Sequence, residues 1–202
     1  MIIRVKGNQL PALRAGDVLF ARFKLSLATC LDYFLSTLIR PRIYIHVALV
    51  IKDFDPAGPH SDESVIIDAV KRRMKAKGKN VALRPMDNFL RNMKVLYIGR
   101  LRGVSIEANR FDRMLQRVRE LSEQSTEYSM INYKCPDIDP PSFSCYGLVE
   151  YCYELLGMDL VSDDNFVGKQ WLGLPGIPCF RPGHLYKAFK SERYAFRGDS
   201  VL

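Results

Sequence analysis

The stretch Ile43 to Ile51, IYIHVALVI, restricts the possible folds more than any other part of the chain. It is almost continuously apolar and rich in β-branched side chains, as expected of a strand covered on both faces. Such a strand needs neighbours in a sheet and a layer on each side. Neighbours are at hand. The Gly16-Asp17 turn leads into the apolar run Val18 to Ala21, and Val65 to Val70 returns after a loop from Asp53 to Ser64 that holds Pro56, Gly58 and Pro59. Ile43 to Ile51 and Val65 to Val70 therefore read as an antiparallel pair with a long tip. Val95 to Ile98 is a further strand, following a short helical piece from Met86 to Arg91.

Three segments carry helical spacing. From about Lys24 to Ile39, Leu27, Leu31, Phe34, Leu35 and Leu38 share one face and Pro41 ends the pattern. Between Glu107 and Glu123, Ala108, Phe111, Leu115, Val118 and Leu121 oppose a charged face. After an irregular passage with Pro136, Pro140 and Pro141, the residues Cys145, Leu148, Val149, Cys152, Leu155 and Leu156 form one stripe, with Gly157 as the C-terminal stop. The remainder, with Trp171 and several prolines and glycines, reads as mostly loop packed by its aromatics. With 202 residues, 48% of them hydrophobic, the chain supports one sizeable core, so residues 1–202 are expected to form a single α+β domain.

Five cysteines, an odd number without any CxxC pair, favour neither a disulfide framework nor a zinc site; reduced thiols, no metal and no cofactor are expected. The net charge of +8 is local, because Lys71, Arg72, Arg73, Lys75, Lys77 and Lys79 supply six charges and leave +2 for the rest. That run reads as a solvated loop or as a contact for an anionic surface; no motif for specific nucleic-acid binding accompanies it. The opening residues lack the apolar core of a secretory signal, and the apolar stretch Phe23 to Ile39 contains Lys24 and Asp32. The expectation is a protein without a transmembrane segment that is cytoplasmic or delivered without a classical signal peptide.

Cys145 begins its helix, with Ser142 or Ser144 available as the N-cap, so free amides and the positive end of the helix dipole lie near its sulfur. That placement favours thiolate, the nucleophilic form. Cys152, two turns deeper on the same face, should be an inert thiol. Taken alone, a cysteine on an apolar stripe is also what core packing produces. A lone imidazole in an apolar strand, His46, is likewise compatible with a hydrogen-bonded core histidine.

The peptide SCYGLVEYCYELLG, from Ser144 to Gly157, resembles the nucleophile helix of the NlpC-type cell-wall peptidases. Those enzymes carry a GD-apolar-apolar-Phe strand and a His-Val-Gly-apolar strand after that helix. Here the similar GDVLF, from Gly16, and HVALVI, from His46, precede it. The reversed order is the mark of the circularly permuted branch, which includes YiiX-like bacterial proteins, poxvirus relatives and the lecithin:retinol acyltransferase group; the chain looks like a YiiX-like member. Tyr44, the Ile67-Asp68-Ala69 strand and the RPGHLYKAF segment at 181–189 extend the likeness. Departures are Ala48 where Gly or a small residue is usual, Asp68 where Glu is frequent, and Tyr146 where Ser or Thr is usual.

The resemblance implies a papain-like fold, a small, mostly antiparallel sheet bearing His46 and Asp68 against the helix begun by Cys145. Cys145 would be the nucleophile and His46 the base. Asp68, 22 residues after His46, would be the orienting third residue, unless it is a strand-end residue bound to a backbone amide. His60 is the reserve for that role, and His184 sits in a loop-like context. Tyr128 stands where relatives place a tyrosine that supports the oxyanion, or is an ordinary aromatic, and Tyr146 would narrow or cover the substrate pocket. The implied function is a thiol hydrolase working through an acyl-enzyme, first an amidase or peptidase on cell-wall-type or other peptide amides. Alternatives are a lipid acyltransferase or phospholipase-like enzyme, with the basic run and the 24–39 helix at a membrane surface, or a non-catalytic scaffold.

Overall fold

The computed structural model describes residues 1–7, 9–24, 46–58, 63, 65–69, 80–103, 106–128, 134–160, 182–192 and 195–196. Most of the helix expected over 24–39, Tyr44, His60, the basic run at 71–79 and Trp171 lie outside these residues.

A six-stranded antiparallel sheet forms the centre. It contains β1 (Ile2–Arg4), β2 (Val18–Phe23), β3 (His46–Val50), β4 (Ile66–Ala69), β5 (Val81–Arg84) and β6 (Met93–Gly99) in the order β1-β6-β2-β3-β4-β5. Strand β3 lies inside the sheet and every residue of it is buried. Its alternation sorts the core into two layers: Val47 and Leu49 face one apolar cluster, Ala48 and Val50 the other. The β3/β4 pair is antiparallel, with Leu49 opposite Ile67 and Val50 opposite Ile66.

Helix α1 (Met86–Asn92) contributes Met86 and Phe89 to the Ala48 side. The Val47 side receives α2 (Ala108–Glu123), α3 (Cys145–Leu155) and α4 (Pro182–Ser191), through Val118, Leu148, Cys152, Leu185 and Phe189 among others. Burying each such aliphatic or aromatic side chain contributes roughly 1.5–3 kcal/mol. Helix α3 starts at Ser144, whose hydroxyl accepts the Gly147 amide at 3.1 Å, and stops at Gly157, which takes φ +78°. Two polar anchors fix it. The Tyr153 hydroxyl donates to the Gly16 carbonyl, and Lys134, on β8 (Lys134–Cys135), reaches Glu150 at 3.2 Å and Glu154 at 2.5 Å. The Gly16-Asp17 turn is itself held by Arg100, whose Nη2 lies 2.6 Å from Asp17. Two-residue strands complete the fold: β7 (Glu127–Tyr128) and β8 flank β9 (Ser142–Phe143), and β10 (Met158–Asp159) pairs with β11 (Ala195–Phe196).

The segment after Gly157 is not all loop. Pro182 opens α4, where its fixed φ and missing amide suit a first helical position, and Leu185, Ala188 and Phe189 bury one face. His184 accordingly falls in a helix rather than a loop-like context. β1 and β5 also lie where the sequence shows no strand signal; both are short edge strands whose side chains are mostly half-buried.

Phe189 packs edge-on against Phe20 and Tyr153 directly over Gly99, where an added Cβ would sit 2.8 Å from the ring. Gly99→Ala should therefore cost about 1–3 kcal/mol, measurable by urea denaturation, because the buried Phe189 ring and the helix that carries it must move off the strand. A second outcome concerns Glu150, fully buried, whose carboxyl burial pushes up to about 7 against the pull of Lys134. The folded protein then holds a proton that the unfolded chain releases near the ordinary carboxyl value, so this group costs stability as pH rises from about 4.5 to 7. Relative to Glu150→Gln, wild-type stability should fall across that window by up to about 3 kcal/mol, read as the difference between the two denaturation curves at each pH.

Candidate active site

His46 opens β3, Asp68 lies on β4 and Cys145 opens α3. Continuing the β3/β4 register one step beyond Leu49 and Ile67 puts Asp68 beside Ala48, two residues along the strand from His46 and on the same face. Side chains at that diagonal are within reach, and His46 Nε2 lies 3.1 Å from Asp68 Oδ2. With Nε2 taken by Asp68, Nδ1 is the ring nitrogen left for the thiol. The Cys145 sulfur is hydrogen-bonded to the imidazole and to the backbone amides of Val47 and Tyr146. The structure thus brings the three residues into one line.

Little water reaches this line: His46 is 3%, Cys145 2% and Asp68 1% exposed. Burial alone would drive both His46 and Cys145 toward their neutral forms. For His46 it is outweighed by the Asp68 and Cys145 contacts, which raise the imidazole to about 9. For Cys145 burial is again the largest influence and pushes upward, yet the His46 contact and the two amides bring the thiol below its ordinary value. The two shifts run in opposite directions, the imidazole up and the thiol down, which is the direction of a thiolate–imidazolium pair. Cys152 has the same burial without such partners, and burial pushes its thiol up to about 12.

The hydroxyl of Tyr128 on β7 contacts the Cys145 sulfur; burial and then the nearby Cys145 raise it above the ordinary phenol value. Tyr146 is 1% exposed and packs within the apolar cluster on the Val47 side, its phenol within electrostatic range of Tyr128. Of the two N-cap candidates, Ser144 takes the role; Ser142 is buried on β9 and its hydroxyl lacks a hydrogen-bond partner.

Two neighbours carry no signal in the sequence. The Phe89 ring lies tilted against His46 with centroids 6.0 Å apart, and Arg84 Nε lies 2.8 Å from Asp68 Oδ1. Arg84 ends β5, and recognising that strand would have placed it near Asp68; Phe89 lies on α1. Among the described residues, no group of three or more His, Cys, Asp or Glu side chains converges to hold a metal ion. No helix among them is long and apolar enough to cross a membrane. An open groove of about 350 Å³ lined by Ala15, Ile106, Ala108, Phe111 and Asp112 lies beside the Gly16 turn, by the Tyr153 end of α3, away from the sulfur. Compared with known proteins, the chain matches no family model, no curated protein and no solved structure.

Below neutral pH, iodoacetamide should alkylate Cys145 ahead of Cys135 and Cys152, because its thiol is lowered by the His46 contact whereas burial raises that of Cys152. Peptide mass mapping reads the order; even labelling, or a spared Cys145, contradicts the ion pair. His46→Ala should erase the preference. The pair should persist to about pH 9, where His46 gives up its proton.

Proposed function

We propose that this protein is a thiol hydrolase of the permuted papain-like type, with peptide amides as its first substrate class. The alignment of Cys145, His46 and Asp68 in a nearly dry site carries this reading. A helix packed on an antiparallel sheet, with the histidine strand preceding the cysteine, supports the permuted papain-like assignment made from the SCYGLVEYCYELLG and HVALVI segments.

The Cys145 thiolate attacks the carbonyl carbon, forming a C–S bond while the carbonyl π electrons move to oxygen. The amide of Cys145 at the helix start and the Tyr128 hydroxyl are the donors for that oxyanion; the Gly147 amide is occupied by Ser144. The His46 imidazolium gives its proton to the leaving nitrogen as the C–N bond breaks, leaving a thioester and neutral imidazole. His46 then takes a proton from water, which adds to the thioester, and the collapse releases the acid and restores the thiolate–imidazolium pair. Asp68 holds the ring with Nε2 toward itself and stabilises the imidazolium without taking the proton.

The test is intact-protein mass spectrometry during turnover of fluorogenic peptide amides and of phospholipid vesicles. Amine release together with an acyl adduct that vanishes in Cys145→Ala supports the peptide reading. Fatty-acid release with the same adduct moves the assignment to lipid acyl chemistry. Absence of any adduct or product from either substrate overturns catalysis and leaves a scaffold protein. If peptide amides are turned over, His46→Ala should lower kcat/KM about 10³-fold, and Asp68→Ala should lower it less, because an orienter can be lost while the base still acts. Equal losses, or the reverse order, would reassign the two residues.

A further inference from the structure

We propose that Arg84 is a positioning residue that holds the Asp68 carboxylate for His46 and compensates its charge, so that the centre is a chain of four alternating charges: Cys145, His46, Asp68 and Arg84. The inference rests on reading Cys145, His46 and Asp68 as a nucleophile centre, and adds the residue that compensates their charge.

The two oxygens of Asp68 face different partners. Oδ2 lies 3.1 Å from His46 Nε2, and Oδ1 lies 2.8 Å from Arg84 Nε. The latter pair is close enough for an ion pair but not aligned as a hydrogen bond, so its content is charge rather than direction. The sheet produces the placement. Asp68 stands opposite Ala82 and Ile66 opposite Arg84, so Arg84 is on the same face as Asp68 and one diagonal step further along the line from His46. The carboxylate is 1% exposed and the Arg84 side chain 22%, so the charge at the outer end of the line keeps some contact with water.

Charge compensation decides why a cation is needed. Thiolate, imidazolium and carboxylate sum to one net negative charge in a site with almost no water, and a buried unpaired charge costs several kcal/mol or is removed by protonation. A carboxylate left uncompensated or displaced would withdraw the support that the Asp68 contact gives the imidazolium. Among the described residues, the groups facing this line are His46 from β3, Arg84 from β5, Cys145 from α3 and Tyr128 from β7. Arg84 is the remaining cation among them, and it brings the sum to zero. Its Nη2 is buried without a hydrogen-bond partner, which argues against a separate duty as a backbone clamp.

The experiment measures the rate of Cys145 alkylation by iodoacetamide against pH, with peptide mass mapping, in wild type, Arg84→Gln, Arg84→Lys, Asp68→Asn and the Arg84→Gln/Asp68→Asn double variant. Removing the cation that holds and compensates Asp68 weakens the support for the His46 imidazolium and through it for the Cys145 thiolate, so Arg84→Gln should move the acid limb of the profile up by about one unit and slow alkylation below it about tenfold. Arg84→Lys should restore most of the limb. In the Asp68→Asn background Arg84→Gln should add less than about twofold, since its effect passes through Asp68. An acid limb that stays in place in folded Arg84→Gln, or the full shift recurring without the Asp68 carboxylate, overturns the role of Arg84 alone. A wild-type limb at the ordinary thiol position overturns the nucleophile reading and this role with it. Should Arg84→Gln not fold, Arg84→Lys decides: a limb within about 0.3 unit of wild type supports the role, and one as high as that of Asp68→Asn overturns it.

Discussion

Strand β3 is buried on both faces, and that constraint organises the rest of the molecule. One face has to be covered by α3 and its neighbours and the other by α1, so the layer that delivers Cys145 and the layer that delivers Phe89 converge on the same strand. His46 is the first residue of β3, which places a titratable ring where the apolar strand ends and the helix start arrives. The ring is therefore held by packing that also holds the fold together. Side chains in such surroundings keep one rotamer, and a hydrogen-bonding line built on them needs little reorganisation.

Electrostatics in this line is a contest between desolvation and pairing. Burial is the strongest single influence on both His46 and Cys145, and it opposes ionisation of each. Pairing wins only because each charge meets an opposite charge or an amide dipole: the sulfur has the imidazole and the Val47 and Tyr146 amides, and the imidazole has Asp68. Removing one member of a buried chain leaves the next one uncompensated, so the members act as a unit rather than as additive contributions.

The elements visible in the sequence are those whose pattern is forced by burial. β3 and the stripe from Cys145 to Leu156 are legible because both are nearly all apolar, and the Gly157 stop because a left-handed residue is required there. Asp68 beside His46 follows from the alternation of two antiparallel strands. β5 is illegible for the opposite reason: VALR is four residues long, three of them half-buried, and its pairing to β4 is a tertiary fact. Losing β5 loses Arg84, and although the helical piece carrying Phe89 is legible, its packing against His46 is not. The α4 helix is hidden by the prolines and glycines ahead of it, which read as loop until Pro182 is seen as a helix start. The six-stranded sheet is accordingly larger than the small sheet expected, because β1 and β5 extend both edges.

Cys145 and Cys152 show how position, not residue type, sets the chemistry of a thiol. They share a helix, an apolar stripe and near-complete burial. Two turns separate them, and within those turns the first-turn amides are replaced by amides closed into the helical ladder. At Cys152 desolvation acts unopposed and the thiol is pushed up to about 12. At Cys145 the same desolvation meets an imidazole and unclosed amides, and the balance reverses. The helix start is thus not sufficient: without His46 at the end of β3, the amides of Val47 and Tyr146 alone would have to outweigh the largest influence on that sulfur, which is burial itself.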